Sequence, residues 1–585
     1  MQQKDKAIMA AIGEIDFDLV IKNVNFVNIL TEEIYLADIG ICDGRIAHIT
    51  QPGEPNLTGP HIFDGSKKYA FPGLIDTHVH MESSMMTPAH MCDAIVVHGT
   101  TTLVSDPHEI GNVMGVDGVN YMLKATEDIP LQVFVLAPSC VPATEDLETS
   151  GAVFDAHTID SLLSHERVIG LAEVMDFPGV IHQSDRMMSI IAAAKKHNGF
   201  LQGHSPSLTG RELSAYQASG VNSCHETSFT EEAIYKLRAG MTLECRESSI
   251  VHDIKALAPA IKQLNYPMNT TICTDDREPD DLLSQGHIDH VIRRCVQEGI
   301  PVIKAIRMAT YQASLLTGLH DRGLLCPGRR ADIVLADDLE QLHVTDVFVG
   351  GSLTAQNGKM LTPTRESHLP EEEQNTVILH KIPELSDFCP KAGGTSVKVN
   401  VMSFRKEAPI LTDLETIVLP VKENTVDISG HDDLAYIAVF ERHGKKGSHC
   451  AGIVKGLGLK YGAIASTLSH DSHNLVVVGK NPQDMKKAAD ALIKCHGGLA
   501  CVLNEQVEHL LELPIAGLMS PKPIQELAPL TYAMKKAILD YGIIGECPII
   551  QMGSLSLPVI PHVRLTDLGL ADVLKQEFIP IIVSE

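Results

Sequence analysis

Two histidines one residue apart close an apolar run, Phe71-Pro72-Gly73-Leu74-Ile75-Asp76-Thr77-His78-Val79-His80. Such a run reads as a buried β-strand, and its period-2 alternation puts His78 and His80 on the same side of the strand end. Two neutral imidazoles held that way can share a metal ion, although surface pairs of this spacing also arise by chance. More ligand-type side chains stand at the ends of later apolar runs: Asp106, His108 and Glu109, then Glu173, His204, His225 and Glu226, and finally Asp275 and Asp276. A satisfied core histidine is the ordinary account of any one histidine among them. As a set they are hard to leave unpaired in a low-dielectric mouth, because each buried carboxylate needs its own compensation. A pair of divalent cations supplies it. The inventory suits one metal on His78, His80 and Asp275 and another on His204 and His225, with Glu173 as the bridge. Imidazole and carboxylate ligands suit Mn, Fe or Zn, and no thiolate cluster points to a structural zinc. Two metals flanking one water lower its pKa and yield hydroxide near neutral pH. A proton must also reach a leaving group. Asp275 or Asp276 could carry it, with Glu109 and His108 as rivals.

These side chains need a frame that brings successive strand ends together. Apolar or β-branched runs start near Phe71, Thr100, Val133, Val168, Phe200, Gly220, Met241 and Asn269, eight in all. Intervals such as 185–197 and 230–239 have helical composition and end near glycine, as a strand–helix unit should. Eight such units predict an α/β fold, a TIM-like (β/α)8 barrel over residues 71–319. An open doubly wound sheet competes, but polar residues end nearly every strand, and only a barrel converges all those ends on one mouth. Hairpin signals over 17–49, with Asp43-Gly44 as a tight turn, form too small a sheet to stand alone. Strand material after Gly323 likewise has no core of its own. The two flanks are therefore expected to join as one small β-sandwich domain from residues 1–70 and 320–365. Residues 366–395, polar and carrying Glu371-Glu372-Glu373, read as a linker. Strand-like runs near Val397, Thr416, Leu434 and Asn474, with a helix over 482–495, predict a C-terminal α+β domain over 396–585.

The totals bound the function. A chain of 585 residues is too long for one core. A formal charge of -27, from 47 basic and 74 acidic residues, argues against nucleic acid or an anionic membrane as partner. The 13 cysteines show no paired spacing, and several lie in apolar runs, as reduced buried thiols do. No run of eighteen apolar residues and no signal-peptide pattern is present, so the cytoplasm is the expected compartment. The glycine-rich run 452–462 lacks the spacing of a dinucleotide or phosphate-binding loop and reads as turns and tight packing.

His78-x-His80, Glu173, His204, His225 and Asp275, flanked by the 17–49 strands and Pro327-Gly-Arg-Arg-Ala-Asp-Ile-Val, resemble the amidohydrolase superfamily. More narrowly, Pro72-Gly-Leu-Ile-Asp-Thr-His-Val-His-Met-Glu-Ser-Ser, Asp106-Pro-His-Glu-Ile-Gly-Asn-Val, Ala137-Pro-Ser-Cys-Val-Pro-Ala-Thr and Cys273-Thr-Asp-Asp-Arg are similar to the bacterial adenine deaminase family. The similarity extends to Ser469-His-Asp-Ser-His-Asn474 and so runs through essentially the whole chain. It implies conversion of adenine and water to hypoxanthine and ammonia, a binuclear centre with manganese foremost and iron or zinc as alternatives, and at least a homodimer. Many superfamily members bridge their metals with a carboxylated lysine; here, as in the narrower family, Glu173 fills that place. Attack at C6 of adenine builds a tetrahedral centre and pushes charge onto N1, so the catalyst must protonate N1 and then the amine. Loops just past the strand ends, with Glu82, Ser83, His108, Glu109 and Ser139, are placed to read the ring edge. By the resemblance, His470, Asp471 and His473 belong to a C-terminal loop that closes over the mouth. The ligands alone do not name the substrate, and an amidohydrolase acting on a cyclic amide or another amino-heterocycle would need almost the same set. A metal-binding scaffold without turnover is the reading from a different class, disfavoured because no proposed ligand is missing.

Overall fold

The computed structural model describes residues 5–144, 146–405, 408–545 and 547–584; the outermost positions of the expected domain ranges, 1–4 and 585, lie outside the described residues. Eight parallel strands follow one another: Leu74–Val79, Thr100–Ser105, Gln132–Ala137, Val168–Val174, Phe200–Gly203, Ser223–Cys224, Thr242–Arg246 and Thr270–Cys273. The first five form one parallel sheet and the last three another. The ring closes where Asp275 N donates to His78 O at 3.0 Å, and where Gly203 N donates to Ser223 Oγ at 3.3 Å. The second junction depends on glycine, since a Cβ on Gly203 would lie 2.1 Å from the Ser223 carbonyl oxygen. A helix follows every strand, which makes the barrel a (β/α)8 fold.

The helices obey their local chemistry. Asp185–Lys196 starts where Ser184 Oγ accepts from Met187 N, has Asp185 in its first turn and ends on Lys195 and Lys196, each placed to suit the helix dipole. It buries Met187, Ile190, Ile191 and Ala194, one stripe at helical spacing against the strands.

Strands from both flanks of the barrel share a single nine-stranded sheet. Tyr69–Pro72, which leads directly into the first barrel strand, pairs antiparallel with Ile333–Asp338, Phe71 opposite Val334. Burial of Ile21, Val24, Ile39, Ile333 and Leu335 in one cluster explains why neither flank suffices alone. Residues 366–395 carry a short helix, Glu371–Gln374, and place Phe388 and Cys389 in the core of the following domain.

That domain is built on a ten-stranded sheet that begins with Ser396–Arg405 and takes in Leu434–Phe440, Ala463–Ser466 and Leu475–Gly479. Helix Pro482–Cys495 packs on it, its N-terminus capped by Asn481, whose side chain accepts from Asp484 N at 2.8 Å. Helix Ile524–Asp540, the short helix Pro548–Gly553 and a three-stranded sheet over 563–579 follow, and Ile582 pairs back onto Val399. This last third rests on the barrel: Ser520 N donates to Met85 O at 2.8 Å, and Asn474 Nδ2 to Thr149 O at 3.0 Å. Among the described residues, no helix is long and apolar enough to cross a membrane.

Candidate metal centre and active site

His78 and His80 end the first barrel strand, and each ring is turned by the partner of its Nδ1. His78 Nδ1 lies 2.8 Å from Gln202 Oε1, and the Gln202 amide is itself oriented by donating to Thr77 O at 2.9 Å. His80 Nδ1 lies 3.0 Å from the Asp106 carbonyl. Both acceptors lack a proton to give, so Nδ1 carries the hydrogen and Nε2 is left with a free lone pair, able to accept a hydrogen bond or ligate a metal. The two Nε2 atoms converge on Asp275 Oδ1, at 3.3 and 3.2 Å.

Glu173, at the end of the fourth strand, faces four imidazoles. Its Oε1 lies 3.5 Å from His80 Nε2 and 3.6 Å from His108 Nδ1, and its Oε2 lies 2.5 Å from His204 Nδ1 and 3.2 Å from His225 Nε2. Burial opposes ionisation of this carboxyl, but His204 and His225 hold it well below the usual range. Asp275 is treated alike, with His78, His80 and Arg246 outweighing burial. Burial lowers His204, yet the Glu173 carboxylate lifts it to about 9. His225, lowered first by burial and then by the His78 ring stacked 3.9 Å away, falls to about 4.

A divalent cation fits this set. His78 Nε2 and His225 Nδ1 are buried without a hydrogen-bond partner, which is costly unless something electropositive sits among them. His78, His225 and Asp275 bring their ligand atoms together, as do Glu173, His204 and His225, and a further group joins His80, Asp106, His108 and Glu173. His225 thus stands within reach of the ligands expected for either cation.

Above the centre lies a cavity of about 330 Å³. His80, Glu173, His204, His225 and Asp275 line its floor, and His108, Asp276, His470 and Asp471 line it too. Leu557, Val559, Ile560 and Pro561, from the last third of the chain, form an apolar wall. Asp276 is pushed up to about 6, by burial and then by Asp275. Ser83 Oγ lies 2.5 Å from Asp276 Oδ1 and 2.8 Å from Glu109 Oε1. A hydroxyl has one proton to give, so the second contact requires a proton on one of the two carboxyls.

Other expected residues stand back from the cavity. Glu82 accepts from Ile110 N at 3.1 Å, and burial followed by Glu109 raises its carboxyl to about 8. Ser139 spends its hydroxyl on the Glu173 carbonyl at 2.6 Å, so it holds the glutamate's backbone rather than facing the cavity. His473 is fully buried, with Nε2 3.9 Å from Glu109 Oε2. By contrast, two residues that line the cavity meet across the sequence: His108 Nε2 and Asp471 Oδ1 lie 3.8 Å apart.

Three participants escaped the sequence reading. Arg246 ends the seventh strand, pairs with Glu226 and reaches Asp275 Oδ2 at 3.0 Å and Asp253 Oδ2 at 3.1 Å. Its place at the end of the apolar run from Met241 was the available signal. Gln202 lies on the fifth strand, two residues before His204, and that proximity to a ligand candidate was its signal. The apolar wall of 557–561 carries no signal in its own residues.

Residues 69–354 match the amidohydrolase family and residues 409–577 match the adenine deaminase C-terminal domain. Over 580 residues the chain is 39% identical to the adenine deaminase of Thermosipho africanus, covering 99% of both chains. It is 38% identical over 577 residues to that of Desulfatibacillum aliphaticivorans, again covering 99% of both. The chain belongs to the adenine deaminase family. The family's two matched segments divide the site: the metal-ligand candidates fall in the amidohydrolase part, whereas His470, Asp471 and the apolar wall fall in the adenine deaminase C-terminal part.

Proposed function

We propose that this protein deaminates adenine, converting adenine and water to hypoxanthine and ammonia. One observation carries the reading: a floor of imidazole and carboxylate ligands is closed into a purine-sized cavity by the segment that matches the adenine deaminase C-terminal domain. His78, His80 and Asp275 would hold one divalent cation and His204 and His225 a second, with Glu173 within reach of both sets, manganese being the first candidate and iron or zinc the alternatives. Bound there, such cations lower the pKa of water and polarise the ring under attack.

The remaining work falls to the chain's own groups. Asp276, with a carboxyl at about 6, starts ionised near neutral pH: it takes a proton from the attacking water and gives it to N1, then takes the proton of the new C6 hydroxyl and gives it to the departing amine. Ser83 fixes that carboxyl and couples it to Glu109; His108 and Glu109 are the other candidates for the transfer. His470 and Asp471 meet the ring's polar edge, His473 stands buried behind Glu109, and Glu82 and Ser139 support the loop and the Glu173 backbone. Residues 1–70 with 320–365, 71–319 and 396–585 are the working domains, with 366–395 as the connection. A cytoplasmic location, a role in purine salvage and a homodimer or larger assembly complete the proposal.

The test is ammonia release from adenine by the manganese-reconstituted protein, with adenosine, guanine and cytosine beside it. Release from adenine is the expected result. No release, with metal bound, would defeat the proposal and turn attention to cyclic amides.

A further inference from the structure

A second cavity, of about 20 Å³, lies against the first. His470 and Ile550 line both, and Ser83, which holds Asp276, lines the smaller one together with Glu109, its other partner, and Glu278. The chamber has room for one water-sized species. Its lining is not neutral. Glu109 and Glu278 are both 1% exposed, and Glu278 is paired through Oε2 with Lys535 while its buried Oε1 has no hydrogen-bond partner. Such an oxygen calls for a donor, and a cationic donor meets it best. Burial pushes this carboxyl up to about 7 even with Lys535 beside it. Lys535 Nζ also lies 2.7 Å from Asp280 Oδ1 and 3.5 Å from Asp281 Oδ2, so its charge is shared among three carboxylates and does not reach Glu278 Oε1 alone.

We propose that the small chamber receives the ammonium ion released from C6 and holds it against Glu278. The inference rests on the deaminase reading. The C6–N bond breaks with its electron pair on nitrogen, the nitrogen leaves as ammonia, and ammonia, a stronger base than a carboxylate, takes up one proton. Adenine, water and that proton therefore give hypoxanthine and ammonium. Ammonium is close to water in size, has donors on every side and no acceptor, and so suits the carboxylates of Glu109 and Glu278 and the Ser83 hydroxyl, which share the chamber with His470 and the apolar Met85, Leu468, Ile549 and Ile550.

Two measurements test this. Crystals of the full chain soaked in thallium(I) acetate, a cation similar in size to ammonium, should show an anomalous peak in the chamber beside Glu278. Density there without anomalous signal would mean water alone and overturn the proposal. Hypoxanthine formation from adenine should be inhibited by ammonium chloride relative to sodium chloride at equal ionic strength. Glu278→Gln should weaken that inhibition about tenfold, the loss of one charge-assisted contact, with the KM for adenine unchanged. Equal inhibition in both proteins would also overturn it. The thallium experiment uses the unaltered chain and stands even if the variant fails to fold. A thallium peak in a protein that leaves adenine intact would remove the deaminase reading and with it ammonium as the occupant; turnover of adenine without a peak would remove this inference alone.

Discussion

Glutamine at position 173 would keep the shape of the side chain and remove the charge on which His80, His108, His204 and His225 converge. The strongest of these contacts, 2.5 Å to His204 Nδ1, lifts that imidazole from 6.5 to about 9. A rise of that size corresponds to about 3 kcal/mol of attraction for the protonated ring. The folded-state value lies above the unfolded one, so this stability is fully present below the unfolded pKa and is lost as pH rises through the folded one. In metal-free protein, Glu173→Gln should therefore cost about 3 kcal/mol at a pH below 6.5 and almost nothing above about 9. Urea melts in a chelator, followed by circular dichroism across that range, measure the difference. The same variant should bind manganese at least ~10-fold more weakly, read by metal analysis after dialysis. Equal melts at the acid end together with full metal retention would refute the placement of Glu173 at the centre.

Three further variants separate the roles of its neighbours. Arg246→Met leaves Glu226, Asp275 and Asp253 without their shared cation and should destabilise the fold by ~3–5 kcal/mol; an unchanged melt would show that these carboxylates are compensated elsewhere. Asp276→Asn should keep its metal and lose ~10²–10⁴-fold in turnover. Wild-type turnover should fall as pH drops through about 6, where the raised Asp276 carboxyl takes up its proton, and the variant's residual rate should not follow that limb. His473→Ala should lower turnover with circular dichroism unchanged, and wild-type kinetics would take His473 out of the site.

Much of the barrel was legible because its signals are local. A strand announces itself through a few consecutive apolar residues, and period-2 alternation makes His78 and His80 point the same way whatever the rest of the chain does. The same local logic located all eight strands, the 185–197 helix to within a residue, and the 482–495 helix. It also found the floor of the cavity, since ligand-type residues stood out against the apolar runs they end. Ser139 shows the limit: its position past the third strand suggested a hydroxyl facing substrate, but that hydroxyl bonds the Glu173 carbonyl 34 residues away, a partner that adjacency in sequence does not name.

The sequence by itself determined the types of chemistry available, namely imidazole and carboxylate donors at the ends of parallel strands, and the order in which the strands deliver them. Tertiary structure decided which donors meet. It set Ser83 between Glu109 and Asp276, turned Gln202 towards His78, and put Arg246 among three carboxylates. It also brought 557–561 across hundreds of residues to wall the cavity. The physical reason is the range of the forces involved. Strand and helix preferences act over a few residues, whereas hydrogen bonds and ion pairs take whatever partner the completed core brings within about 3 Å, and no local pattern records that partner.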